Sequence, residues 1–243
     1  MKRLINVMVL VSTLLIIMSP GAQAYQYTIK LDALNGIYYS PGGEFTVIPV
    51  TGGLQSVLPY YAPVAKNIDG MTNTFETFCV ETRVDFYPAN WGGPTYSANI
   101  SDYAIGGNIR TGSNNPLTLG AAWLYYEFAT GKLQGYDYTG SGRHNDASAL
   151  QEAIWIFMRQ DHINSSFDPP NYNNIFLTEA ATAVGSANVF NPSNGRYGVH
   201  VLNLYDANGS PAQNQLVLTP EPTSIILLGM GLIGLVVVRR KMQ

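Results

Sequence analysis

The chain has a single cysteine, Cys79, among 243 residues. An internal disulfide is therefore excluded, and a lone thiol in an oxidising compartment is open to oxidation unless something occupies it. Charge is scarce as well: Asp, Glu, Lys and Arg together make up 12% of the sequence. Between Tyr25 and Thr219, eight basic residues face fifteen acidic ones, and the bases do not cluster. That balance argues against nucleic acid as a partner. The three histidines, His144, His162 and His200, lack metal-ligand spacing to one another or to Cys79, so neither a metal nor another cofactor is expected. Internal repeats and low-complexity linkers are missing, and long apolar runs occur only at the two ends.

The first end carries Lys2 and Arg3, an apolar stretch from Leu4 to Met18, then Pro20 and Ala22-Gln23-Ala24. A basic start, a short apolar core and a small-x-small site describe a signal peptide over residues 1–24, cut after Ala24. At the other end Pro220-Glu221-Pro222 opens a glycine-dotted apolar run from Ile225 to Val238, closed by Arg239, Arg240 and Lys241. The run is short for a stable membrane span. These three parts, in this order, resemble the PEP-CTERM sorting signal of exported proteins in Gram-negative bacteria. The resemblance covers residues 220–243. It implies recognition and cutting by an exosortase, with transient membrane insertion of the tail and its basic cluster on the cytoplasmic side. It also implies a final location in the envelope, at the cell surface or in the extracellular matrix. An ordinary tail anchor is the alternative. Residues 25–219 remain as the exported domain.

Within that domain, segments rich in β-branched and aromatic residues read as strands at 25–31, 36–39, 44–50, 75–86, 197–205 and 215–218. A helical middle separates them. Asn115-Pro116 reads as the start of an all-round apolar helix over 117–130, ended by Gly131. Leu150, Ile154, Phe157 and Met158 recur at helical spacing in a second helix, capped by Asp146 or Ser148. A third helix is expected over 174–184. The fold class is α+β: β-sandwich or barrel-like sheets with an inserted helical subdomain.

The chemistry-bearing segments are two. Along Thr77 to Phe86, alternation places Phe78, Val80, Val84 and Phe86 on one face. Cys79 falls on the other, with Thr77, Glu81, Arg83 and Asp85. A cysteine kept as a small hydrophobe belongs on the apolar face, so this placement favours a chemical role. In the second helix Gln151 sits beside the apolar stripe, with Trp155 one turn further along the same side. Phe78-Cys79-Val80-Glu81 and Leu150-Gln151-Glu152-Ala153-Ile154-Trp155 resemble the paired signatures of the bacterial thioester domain of surface adhesins. The family's glutamine commonly follows threonine, and here Leu150 holds that place. The resemblance implies a thioester between Cys79 sulfur and the Gln151 acyl carbon, formed with loss of ammonia and shielded by Phe78 and Trp155. Such a bond captures an amine or hydroxyl once, without turnover, so the protein is not expected to be an enzyme.

Other readings stay open from sequence alone. Ser148-Ala149-Leu150-Gln151 also fits a capping box, with the glutamine returning to the Ser148 amide. Cys79 can be buried without chemistry, leaving a noncovalent structural or adhesive matrix protein whose Tyr136-Asp137-Tyr138 loop contacts polysaccharide. A hydrolase with Cys79 as nucleophile and His144 as base lacks a glycine-rich nucleophile turn.

Overall fold

The computed structural model describes residues 27–34, 36–38, 42–82, 84–105, 114–160 and 174–219. The signal peptide and the tail residues Pro220, Glu221, Pro222, Arg239 and Arg240 lie outside these, as do Arg83 and His162. The fold is α+β. Six strands form one antiparallel sheet: β1 (Tyr27–Ala33), β2 (Phe45–Thr51), β3 (Phe75–Thr77), β4 (Tyr96–Ser101), β7 (Val199–Tyr205) and β8 (Pro211–Leu218), ordered β3-β2-β1-β4-β7-β8. A two-stranded ribbon pairs β5 (Tyr103–Ala104) with β6 (Asn115–Pro116). Between β6 and β7 the chain forms helices α1 (Leu119–Ala129), α2 (Arg143–Phe157) and α3 (Ile175–Val184).

The sheet follows from alternation. In β1, Ile29, Leu31 and Ala33 are buried while Lys30 is exposed, the period-two pattern of a strand with one face on a core. The sheet curls until its outer members meet. Beyond β3, Leu216 N donates to Phe78 O at 3.1 Å and Val80 N donates to Asn214 O at 3.1 Å. Thr77 Oγ1 adds a bond to Leu216 O at 2.6 Å. The edge groups that would otherwise stand unpaired are thereby satisfied.

The helices cover the sheet. In α1, Leu119, Ala121, Ala122, Leu124, Tyr125, Phe128 and Ala129 are all buried, as an all-round apolar helix requires. Each fully buried Leu or Phe of this kind stabilises the fold by about 1.5–3 kcal/mol. Thr118 caps α1, accepting from Ala121 N. Asn174 caps α3 by accepting from Phe176 N, and its amide nitrogen donates to Ala149 O at 2.7 Å, tying α3 to α2. Among the described residues no helix is long and apolar enough to cross a membrane.

The fold corrects several expectations. Asn115 is not a helix cap: it lies in β6 and donates to Met158 O at 2.7 Å. Residues 36 and 37 form a turn in place of a strand. The strand expected over 75–86 stops at Thr77, after which the chain pairs with β8 through an isolated bridge at Cys79. Central strand β4 was not anticipated, because Tyr96-Ser-Ala-Asn-Ile-Ser carries weak strand propensity and wins its place through its two neighbours. Helix α2 begins at Arg143 with Gly142 as an N-cap that makes no side-chain bond, so neither Asp146 nor Ser148 caps it.

Candidate functional site

Past β3 the chain has left β2, and at Cys79 it faces β8 alone. The bonds flanking the Cys79–Gln215 bridge run from Leu216 to Phe78 and from Val80 to Asn214. Cys79 and Gln215 are therefore a non-hydrogen-bonded antiparallel pair, whose side chains come close on one face. The Cys79 backbone N–H and C=O point the other way, where no strand waits. Buried groups of that kind need partners. Gln151 supplies both: Cys79 N donates to Gln151 Oε1 at 3.0 Å, and Gln151 Nε2 donates to Cys79 O at 2.8 Å. The carboxamide of a helix residue thus takes the place of a missing strand, joining positions 72 residues apart. Because Ser148 lies inside α2 and the Gln151 amide is spent on Cys79, the capping-box alternative is overturned.

Cys79 packs in a small buried cluster with Ala33, Phe45 and Trp155, with Tyr38 and Phe86 at its border. Its neighbours Phe78 and Val80 belong to the main core. Phe78 and Val80 do lie apart from Cys79, but Phe86, expected beside them, also borders the Cys79 cluster, and the polar face expected for Thr77, Cys79 and Glu81 is buried. Phe78 sits edge-on to Phe128 with ring centres 4.9 Å apart. Phe45, unremarked in the sequence, is the aromatic neighbour in the Cys79 cluster alongside Trp155. Gly42 completes the wall. A Cβ placed there would come within 2.5 Å of the Trp155 ring and 2.9 Å of Gln151 Cγ, so only glycine allows the backbone to lie this close.

Two further features were missed. Gln215 Nε2 lies 3.6 Å from Cys79 Sγ, a donor to the sulfur, and also bonds Gln213 O at 3.2 Å. Its Oε1, like Trp155 Nε1, is buried without a hydrogen-bond partner. The run Gln213-Asn214-Gln215, three carboxamides in an otherwise apolar strand, was the available signal. Second, Arg143 at the start of α2 forms a buried two-pronged ion pair with Glu44, Nε donating to Oε2 at 3.0 Å. This pair fixes the helix that carries Gln151.

Burial pushes the Cys79 thiol well up; the Gln215 donor opposes this and the Glu81 charge adds to it. Glu81 is itself buried, with its carboxylate accepting from Asn214 N at 2.8 Å and Asn214 Nδ2 at 2.5 Å. Burial outweighs those donors and raises the Glu81 carboxyl from 4.5 to about 7. The folded state therefore holds this proton more tightly than the unfolded chain. The stability it confers is complete below pH 4.5 and is lost as pH rises to about 7, up to about 3 kcal/mol in all. Burial also raises Glu76, which acts in the same direction. Urea unfolding across this range is expected to show stability falling with pH, and Glu81→Gln is expected to flatten the fall. An unchanged slope in that variant contradicts the assignment.

His144 lies in the first turn of α2, seven residues and about 10 Å of helix from Gln151. His200 pairs with Asp102 at 2.7 Å. Among the described residues no group of three or more His, Cys, Asp or Glu is placed to hold a metal ion. In the Tyr136–Tyr138 loop, Tyr136 is buried and donates to Glu44 Oε2 at 2.8 Å, while Tyr138 is half-buried and donates to Phe128 O at 3.0 Å.

Residues 218–241 match the family model of the PEP-CTERM protein-sorting motif. That motif marks an exported protein, sorted by an exosortase to the envelope or surface of a bacterial cell. No curated protein and no solved structure matches the chain.

Proposed function

We propose that this exported protein forms an internal thioester between Cys79 and Gln151 and uses it once, to attach itself covalently to an amine or hydroxyl on a surface or partner. The observation that carries this reading is the pair of hydrogen bonds between the Gln151 carboxamide and the Cys79 backbone inside a water-excluding cluster. The Cys79 N–H on Gln151 Oε1 polarises the acyl carbon and would hold the oxyanion formed when sulfur adds to it. Formation makes the Sγ–Cδ bond and breaks the Cδ–Nε2 bond, and the thiol proton leaves with ammonia. Capture of an amine reverses the exchange: nitrogen bonds to Cδ, the Sγ–Cδ bond breaks, and an amine proton returns to sulfur. The Cys79 thiol is freed but the Gln151 acyl group is spent on the partner, so the protein acts as a reagent and not as an enzyme.

Incubating the purified mature protein with a fluorescent primary alkylamine tests this. The label is expected on Gln151 as an amide, with one new thiol per label, and is expected to be absent from Cys79→Ala and Gln151→Ala. No incorporation by the wild type, with a thiol already titratable on unfolding, contradicts it.

The same two hydrogen bonds support a second reading, in which Gln151 is a noncovalent clasp in a structural or adhesive matrix protein. Under it, Cys79→Ala leaves surface attachment of cells unchanged, whereas the thioester reading expects attachment to be lost.

A further inference from the structure

We propose that Gln215 is the positioning residue of the Cys79 sulfur, aiming it at Gln151 and stabilising its negative charge when the thioester forms and when it opens. This rests on the thioester reading and adds a residue to it.

Placement is the first argument. Gln215 is the cross-strand partner of Cys79, their side chains share one face, and Nε2 stands 3.6 Å from Sγ. The second Nε2 bond, to Gln213 O, fixes the rotation of the amide. Gln213 Nε2 in turn donates to Glu81 O at 2.8 Å, and the Glu81 carboxylate binds Asn214. The two residues before Gln215 are thus tied to the segment that carries Cys79, and the Gln215 amide is held by one of them.

The second argument is the residue type. Gln215 is fully buried between Asn214 and Leu216, and its Oε1 has no partner. A position chosen for packing would carry leucine or valine, as Leu216 and Val217 do. A buried polar group left half-satisfied calls for a functional reason. Here the reason is chemical. Burial works against a thiolate, and Glu81 adds to that opposition, while the Gln215 N–H is the side-chain donor that eases it. Charge-assisted hydrogen bonds are stronger than neutral ones, so this donor acts most when sulfur carries charge. The free Oε1 is an acceptor in the same cluster, available to an N–H of the ammonia that leaves or the amine that arrives.

The test uses mature protein carrying Gln215→Leu, Gln215→Met or Gln215→Asn, with folding checked by thermal melts. Intact mass reports the ammonia loss, and methylamine serves as the captured amine. After capture, the freed Cys79 thiol is titrated by thiolate absorbance. Gln215→Leu and Gln215→Met are expected to slow methylamine capture about tenfold to a hundredfold. Both are expected to raise the thiolate midpoint, with Gln215→Asn recovering part of each effect. Wild-type capture rate and midpoint in a folded Leu or Met variant overturn the proposal, because a merely structural role would move only the melting temperature. If neither apolar variant folds, a wild-type rate in Gln215→Asn, whose shorter side chain sets the donor farther from the sulfur, overturns it equally. Ammonia loss that survives Gln151→Ala but not Gln215→Leu also overturns it, making Gln215 the acyl donor. A wild type with no ammonia loss fails the thioester reading alone. The thiolate midpoint of wild type against Gln215→Leu then still decides whether Gln215 governs the sulfur.

Discussion

Replacing Arg143 by methionine is expected to lower the unfolding free energy by about 3–5 kcal/mol. Arg143 opens α2, and its guanidinium bridges both oxygens of Glu44 while donating to Val64 O at 3.1 Å and to Tyr138 O. Its pKa is raised even though burial pulls the other way, because Glu44 binds the charged form. Without Arg143, Glu44 is a buried carboxylate with only the Tyr136 hydroxyl left, close to Glu76, another buried acid. An uncompensated buried charge is costly, whereas removing both partners is not. Urea denaturation of Arg143→Met and of the double variant Glu44→Leu/Arg143→Met separates these cases, with much of the loss recovered in the double variant. A single-variant loss below about 1 kcal/mol would contradict this account. There is a functional consequence. Gly142 gives α2 no side-chain cap, so the ion pair anchors the first turn, and Gln151 lies two turns further on. Loosening that anchor is expected to reduce amine capture along with stability.

Truncating Gln151 to alanine is expected to cost about 2–4 kcal/mol and to abolish capture. The stability loss comes from the backbone. The N–H and C=O of Cys79, turned away from β8, have Gln151 as their partner, and each orphaned group costs about 1–3 kcal/mol. Cys79→Ala provides the control, since it also lacks any cross-link but keeps both hydrogen bonds. The difference between the two variants therefore isolates the clasp. Gln151→Glu is intermediate, because a carboxylate can accept from Cys79 N but cannot donate to Cys79 O. Equal losses in Gln151→Ala and Cys79→Ala would mean that the clasp adds nothing.

Local pattern carried the helices well. The apolar run of α1 and the Asn174 start of α3 were plain, because a cap and an apolar face are written in adjacent residues. The Cys79 and Gln151 segments were legible for a similar reason: each is a short motif. What could not be seen was the reason they meet. The orphaned backbone at Cys79 exists only because β3 ends at Thr77 and the curled sheet brings β8 alongside, a consequence of long-range pairing. Alternation gave the correct sides for Phe78 and Cys79, yet the polar side is as buried as the apolar one, because a segment covered on both faces still alternates. Gln215, Phe45 and Gly42 stayed hidden, since a strand glutamine, a strand phenylalanine and a turn glycine are ordinary until neighbours arrive. The Glu44–Arg143 pair, 99 residues apart, had no local signature at all.

The most direct measurement is the intact mass of the mature protein, purified without nucleophilic buffers. The account predicts a species lighter than its sequence by one ammonia, with no such deficit in Cys79→Ala or Gln151→Ala. A wild-type mass equal to the full sequence, with Cys79 alkylated stoichiometrically after unfolding, contradicts it.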